Sequence, residues 1–131
     1  LDMSTNDVIT LASIIEREAT AEDRKNISSV FHNRLKSKTY PYLESCATVQ
    51  YVLGERKKVI SIADTKIDNK YNTYKYKGLP PGPIANPGYD SIEAALYPND
   101  TDYLFFALQE DGTHKFSKTY EEHLATPKIN P

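Results

Sequence analysis

Residues 11–18 read LASIIERE, and the rest of the chain is built around this stretch, in which apolar residues recur at spacings of three and four and lead to an acid. Such spacing predicts an amphipathic α-helix with one buried face. On that helix Glu18 lies one turn above Ile14 and Ile15. Glu16 has less apolar neighbours, so Glu18 is the acid at the edge of the buried face.

A carboxyl group held against aliphatic side chains loses hydration of its charged form, which raises its pKa. A carboxyl that stays protonated near neutral pH can serve as a general acid. The helix alone also fits the commoner case, in which Glu16, Arg17 and Glu18 form the solvated edge of a surface helix. The rest of the chain has to decide between the two interpretations.

Length and composition predict one globular domain over residues 1–131, with 39% hydrophobic and 26% charged residues. A net charge of −2 and a pI near 5.9 argue against nucleic acid as the main partner. No apolar run approaches the roughly 20 residues that span a bilayer. Cys46 is the single cysteine, and with no Cys/His cluster the sequence predicts neither a disulfide nor a metal site.

Caps, stops and periodicity predict a mainly helical chain with one β-hairpin. The hairpin joins residues 103–108 to residues 114–117 across a tight turn at 110–113. The fold class is therefore α+β. The predicted helices are one capped by Thr5 or Asn6 and ending between Thr20 and Glu22, one over residues 24–35, one capped by Ser45 and stopped by Gly54, a weak segment at 62–64, one capped by Asp90 or Ser91 and ended before Pro98, and one starting at Thr119 and stopped by Pro127.

A loop rich in tyrosine and proline covers residues 71–88 and predicts the wall of a ligand groove. In that loop Tyr71 and Asn72 either bind a sugar or its N-acetyl group, or hold together a loop that lacks regular hydrogen bonds. Gln50 either lines the same groove or lies on the surface of its helix.

Cleavage of a glycosidic bond needs an acid that protonates the leaving oxygen. Glu18 fits this role, but spacing does not single out a second carboxylate among the competing candidates Glu16, Glu22, Asp23 and Glu44. One carboxylate suffices when a hydroxyl of the substrate is the nucleophile, as in a muramic acid residue that closes into an anhydro sugar. The ionised Glu18 would then take the proton of that hydroxyl.

Eight blocks carry a resemblance to a known family. They are LASIIERE at 11–18, VFHNRL at 30–35, LESCATVQY at 43–51, YNTY at 71–74, GLPPGPI at 78–84, NPG at 86–88, DYLFF at 102–106 and HKFS at 114–117. In order and spacing these blocks resemble the YceG-like endolytic murein transglycosylases, the MltG family, over nearly the whole chain.

The resemblance implies a lysozyme-like lytic transglycosylase domain that cuts nascent glycan strands between N-acetylmuramic acid and N-acetylglucosamine and leaves 1,6-anhydro-muramic ends. It implies Glu18 as the catalytic acid/base, no cofactor and no metal. Family members resemble single-pass membrane proteins with a LysM-like module, so we expect a fragment from the extracytoplasmic face of the bacterial membrane. Expected partners are peptidoglycan strands and cell-wall synthases or divisome or elongasome proteins. Expected substrate contacts are Glu16, Ser45, Thr48, Gln50, Tyr71 and Asn72.

The chain departs from the family in one block, where many members have Ser-Asp-Pro-Thr and this chain has SCAT at residues 45–48. If the protein is active, an aspartate there is not essential, and we interpret Cys46 as a small buried helix residue rather than a nucleophile. We expect Asn33 and Arg34 to brace the acid helix, and His114 and His123 to be structural or exposed. A non-catalytic glycan-binding or scaffold module and a two-carboxylate muramidase remain the alternatives.

Overall fold

The computed structural model describes residues 3–55, 57 and 59–130. The fold is α+β and mainly helical, as predicted, with a two-stranded antiparallel sheet. In chain order the elements are α1 (Thr5–Glu18), α2 (Arg24–Lys36), α3 (Cys46–Leu53), a short 3₁₀ turn (Asp64–Lys66), α4 (Tyr89–Leu96), β1 (Phe105–Leu108), β2 (His114–Ser117) and α5 (Tyr120–Leu124).

Helix α1 is the central element, and it packs against α2, α3 and α4. All of its residues from 10 to 15 are buried. The core around it includes Leu11, Ile14, Ile27 and Phe31, which are fully buried. Burying one such side chain stabilises the fold by about 1.5–3 kcal/mol, so the apolar stripe of α1 is the main reason that the chain is organised around it.

The ends of α1 differ from the prediction. Ser4, rather than Thr5 or Asn6, is the N-cap: its hydroxyl accepts a hydrogen bond from the Asp7 amide at 3.1 Å, and the Asp7 carboxylate accepts one from the Ser4 amide at 3.3 Å. The helix ends at Glu18, earlier than predicted, because Ala19 is extended. Glu18 thus stands at the last helical position.

Two other helix starts were predicted differently from what is found. The N-cap of α4 is Gly88 instead of Asp90 or Ser91. Ser45 is the N-cap of α3, as predicted, but its side chain makes no capping hydrogen bond. The C-terminal stop at Gly54 is as predicted, with the left-handed backbone (φ 75°) that favours glycine.

Asn33 and Arg34 do not brace α1, contrary to expectation. The Asn33 amide donates to the carbonyls of Thr101 at 2.9 Å and Tyr103 at 2.8 Å, and Arg34 Nε donates to the carbonyl of Leu104 at 2.6 Å. These bonds hold the segment before β1 against α2. Pairing with β2 begins only at Phe105, so the strand is two residues shorter than predicted.

The proline-rich part of the loop at 71–88 packs on α1. The Ser13 hydroxyl accepts a hydrogen bond from the Ile84 amide at 3.0 Å, and the Ile84 side chain joins the core. The loop is therefore docked as a structural segment. Within the described residues, no helix is both long and apolar enough to cross a bilayer.

Candidate active site

A pocket of about 260 Å³ opens where the C-terminal end of α1 meets the start of α3 and the β-hairpin. Its wall combines charged, aromatic and aliphatic side chains. The lining residues are Arg17, Glu18, Arg34, Leu43, Glu44, Cys46, Gln50, Lys57, Tyr74, Phe105, Phe106, Ala107, Leu108, His114, His123, Lys128 and Asn130.

Glu18 reaches this pocket from the last turn of α1. Burial of the carboxyl raises its pKa, against the opposing effects of the Ser45 hydrogen bond and the charge of His114. The Ser45 hydroxyl donates to Glu18 Oε2 at 3.0 Å. A carboxyl with a raised pKa that is held by one donor is suited to giving up a proton and taking it back.

Ser45 is fully buried and held from behind. Its amide donates to Thr73 Oγ1 at 2.9 Å, and its carbonyl accepts from Thr48 Oγ1 at 2.8 Å. Thr48 and Thr73 also share a hydrogen bond of 2.8 Å. Thr48, predicted to contact substrate, is fully buried and supports Ser45 instead.

Glu16 lies outside the lining of the pocket, although it is only two residues from Glu18. Its Oε1 accepts hydrogen bonds from the Gly88 amide and the Ser91 hydroxyl, both at 2.9 Å. The bond from Gly88, followed by that from Ser91, lowers the pKa of Glu16. Glu16 therefore stays ionised at the N-terminus of α4, where the helix dipole favours an anion, and we assign it a structural role instead of the predicted substrate contact.

Asn72 is fully buried and its side chain is used within the chain. Its amide donates to the carbonyls of Thr65 at 3.0 Å and Ile67 at 2.8 Å, and its Oδ1 accepts from the Tyr74 amide at 3.0 Å. Of the two interpretations that the sequence left open, the structural one accounts for these contacts. The substrate contact is corrected accordingly.

Tyr71 is not among the residues that line the pocket. Its ring packs on that of Tyr51, with centroids 5.0 Å apart, and it lies partly buried against the core. Of the predicted groove wall at 71–88, only Tyr74 lines the pocket. The loop was a poor guide to the groove because Ser13 and Ile84 fasten its proline-rich half to α1.

Gln50 and Cys46 line the pocket from α3. The Gln50 amide donates to the carbonyl of Lys57. Cys46 Sγ lies 3.4 Å from the hydroxyl of Tyr74, and burial raises the pKa of the thiol to about 12. A thiol that stays protonated is a weak nucleophile, which agrees with the interpretation of Cys46 as a small buried residue.

Sequence reasoning missed two ion pairs of the pocket. Arg34, 5% exposed, pairs with Glu44 at 3.6 Å. His114 Nδ1 lies 2.7 Å from Asp23 Oδ2. Asp23 and His114 are 91 residues apart, so periodicity could not connect them, and only the HKFS block marked the histidine.

Glu44 carries a second signal of the site, since it has a positive φ of 51°, which is uncommon for a residue other than glycine. Such backbone conformations cluster at functional sites. Over the described residues, no group of three or more His, Cys, Asp or Glu side chains could hold a metal ion. The chemistry of the pocket as described therefore lies in its carboxyl, imidazole and guanidinium groups.

Comparison with known proteins assigns the fold to a family. The chain is 49% identical over 122 residues to an endolytic murein transglycosylase of Bacillus subtilis, covering 92% of this chain and 33% of that protein. It is 37% identical over 129 residues to one of Streptococcus pneumoniae, covering 93% of this chain and 23% of the relative. The chain thus spans a third or less of these relatives' length.

A crystal structure of a YceG-like protein from Listeria monocytogenes superposes with a TM-score of 0.85 at 51% identity, covering 94% of this chain and 40% of that one. The sequence model of the YceG-like family matches residues 1–128. A match over nearly the whole chain, joined to the same fold at high identity, leaves one conclusion: the chain belongs to the YceG-like family.

Proposed function

We propose that this chain carries the active site of an endolytic peptidoglycan lytic transglycosylase, with Glu18 as its general acid and base. The substrate would be the glycan strand of peptidoglycan, cut between N-acetylmuramic acid and N-acetylglucosamine at the extracytoplasmic face of the bacterial membrane. The names of the relatives from Bacillus and Streptococcus support the reaction class. Cell-wall synthases or divisome or elongasome proteins are the proposed protein partners.

One observation carries the proposal: the carboxyl of Glu18 combines a raised pKa with a place in the wall of the largest described pocket. Burial keeps the proton on Glu18 at a pH where an exposed glutamate would have lost it. The Ser45 hydroxyl, 3.0 Å from Oε2, then stabilises the carboxylate that remains after the proton has been given away. Both states that a general acid/base must visit therefore have a stabilising feature.

The proposed reaction uses that single carboxyl twice. Protonated Glu18 gives its proton to the glycosidic oxygen, and the bond between this oxygen and C1 of the muramic residue breaks. The carboxylate next takes the proton of the C6 hydroxyl of the same muramic residue, and the oxygen of that hydroxyl bonds to C1. The products are a 1,6-anhydro-muramic end and a free 4-hydroxyl on the glucosamine, and Glu18 regains its proton.

A two-carboxylate muramidase is the second candidate, because Glu44 lines the same pocket as Glu18. In that reaction water rather than the C6 hydroxyl would end on C1. We favour the lyase because the pairing of Glu44 with Arg34, at 3.6 Å, already engages the second carboxylate. A hydrolase would leave reducing ends on the glycan.

Mass spectrometry of digested glycan strands distinguishes the candidates. Anhydro ends are expected for the lyase, reducing ends for the muramidase, and intact strands that bind the protein for a non-catalytic module. Glu18→Gln removes the acid and is expected to lower the rate by about 10²–10⁴-fold.

Glu22→Gln is the matched control, since Glu22 is an exposed glutamate in the turn after α1 and lies outside the pocket. It is expected to keep the wild-type rate. Full activity of Glu18→Gln, in a preparation free of other murein hydrolases, would remove Glu18 from the mechanism.

A further inference from the structure

The Asp23–His114 pair is the least explained feature of the pocket. The two side chains are 12% and 3% exposed, and Asp23 Oδ2 lies 2.7 Å from His114 Nδ1. Burying charged groups costs free energy that a single ion pair recovers only in part. The one-carboxylate reaction above gives this pair no role.

Asp23 is held as an anion in the turn between α1 and α2. Its Oδ1 accepts a hydrogen bond from the Thr20 amide at 2.8 Å. Burial favours the neutral acid, but the hydrogen bond and charge of His114, together with the bonds from Thr20, lower the pKa of Asp23 overall. A carboxylate at this place favours a protonated imidazole on His114.

The His114 ring is fixed between aromatic neighbours. The Phe106 ring meets it edge to face with centroids 5.4 Å apart, and the Phe116 ring lies 6.5 Å away. With Nδ1 engaged by Asp23, the Nε2 atom has no hydrogen-bond partner among the described residues. The ring therefore stands in the pocket in one orientation, as a wall residue shared with Glu18.

His114 is the side chain whose positive charge favours ionised Glu18. The other cations of the pocket are Arg17, Arg34, Lys57, His123 and Lys128. Arg34 pairs with Glu44, and Lys57 pairs with Asp64 at 2.8 Å. Both of these cations are thus neutralised by acids of their own.

The remaining groups of the pocket do not compensate Glu18. Lys128 Nζ lies 3.4 Å from His123 Nε2, and burial lowers the pKa of His123, which keeps that ring neutral. Burial also raises the pKa of Cys46 and Tyr74, so both stay protonated. Arg17 lines the pocket, yet it is not among the groups that shift Glu18.

We propose that His114, held through Nδ1 by Asp23, is a positioning residue whose positive charge helps Glu18 to release its proton. In this arrangement burial keeps Glu18 protonated before the reaction, and His114 stabilises the carboxylate that forms when the leaving oxygen takes the proton. The catalytic consequence rests on the proposed function. The charge coupling itself does not, because it is a property of the free protein.

The decisive variant is His114→Asn. The Asn amide nitrogen occupies a place similar to Nδ1 and can still donate to Asp23, whereas the titratable charge is gone. A purely structural role for the pair would survive this exchange. The control is His123→Asn, which removes the other pocket histidine.

The measurement is a ¹³C NMR titration of the Glu18 carboxyl carbon, assigned by its loss in Glu18→Gln. In His114→Asn the titration midpoint of Glu18 is expected at a higher pH than in the wild type, and in His123→Asn it is expected to stay in place. Identical midpoints in the wild type and His114→Asn would overturn the proposal. If His114→Asn does not fold, Asp23→Asn takes its place, since it removes the acid that favours the imidazolium, and the same outcomes decide.

Activity gives the second readout. If Glu18 is the acid, His114→Asn is expected to lower kcat about tenfold with KM changed less than about twofold, since no binding contact is lost. An upward shift of the Glu18 midpoint in a protein whose Glu18→Gln variant is fully active would preserve the coupling and refute the proposed function. The two failures are therefore distinguishable.

Discussion

The hydroxyl of Ser45 donates to Oε2 of Glu18 at 3.0 Å, across 27 residues of sequence. A serine at the N-cap normally bonds the backbone of its own helix, which stabilises it by about 1 kcal/mol. In α3 that capping bond is absent, because the hydroxyl is directed to the end of α1. The start of α3 thus gives up local stability to hold the carboxyl of the site.

Ser45→Ala is expected to raise the pKa of Glu18 further, because the hydrogen bond from Ser45 lowers that pKa and burial is left to act alone with the charge of His114. The alkaline limb of the pH–rate profile should shift upward. The control Ser28→Ala removes a buried hydroxyl that has no hydrogen-bond partner, and it should leave the limb unchanged. A limb at the same pH in Ser45→Ala and the wild type would contradict the role of this bond.

Glu18→Gln is expected to stabilise the fold relative to the wild type as the pH rises. Burial raises the pKa of Glu18 in the folded state. The stability that protonated Glu18 contributes is fully present below its unfolded pKa of about 4.3, and it is lost as the pH rises through the folded value. Urea unfolding between about pH 4 and pH 8 should show the free-energy difference growing in favour of Gln, and a difference independent of pH would contradict it.

Glu16→Ala is expected to lower the free energy of unfolding by about 1 kcal/mol at neutral pH, since it removes the acceptor for the Gly88 amide at the start of α4. The pKa of Glu16 is lowered in the folded state. Its contribution is therefore present above the unfolded pKa of about 4.3 and is lost as the pH falls through the folded value. Chemical denaturation along a pH series measures this, with Glu22→Ala as the exposed control.

Asn72→Ala is expected to destabilise the protein by about 3 kcal/mol, because a fully buried amide loses three hydrogen bonds and leaves the carbonyls of Thr65 and Ile67 unpaired. The control is Asn69→Ala, which removes one exposed side-chain bond to the Tyr71 amide. Thermal or urea unfolding gives the comparison. Unchanged stability with weakened glycan binding would return Asn72 to the substrate contacts.

Cys46→Ala is expected to keep the glycan-cleaving rate within about twofold of the wild type, since a thiol whose pKa is raised to about 12 is protonated at neutral pH. The same raised pKa predicts that iodoacetamide alkylates Cys46 of the folded protein much more slowly than it alkylates the urea-unfolded chain. Mass spectrometry follows that reaction. Loss of activity in a folded Cys46→Ala protein would show that the thiol takes part.

Local patterns predicted the parts of the site that depend on neighbours in sequence. The apolar spacing of α1 placed Ile14 and Ile15 in the core and Glu18 at its edge, because side chains three and four residues apart share a helix face. The same reasoning predicted the hairpin and the stop at Gly54. The choice of Glu18 over Glu16 also followed from these neighbours, and the pocket agrees with it.

Helix ends and long-range partners could not be read in this way. Ser4 and Gly88 became N-caps because the acceptors for their helices were decided by contacts, and Glu16, from α1, serves as the acceptor at α4. The importance of Tyr71 and Asn72 was overestimated, since composition shows that a loop is unusual but not which way it faces.

By itself, the sequence determined the central helix, the α+β class and the acid at the end of α1. Only the tertiary structure decided what surrounds that acid: Ser45 beside its carboxyl, and His114, held by Asp23, in the same pocket wall. The physical reason is range. Helical periodicity acts over a turn or two of chain, whereas the pKa of a carboxyl depends on every charge, donor and apolar surface that folding brings to it.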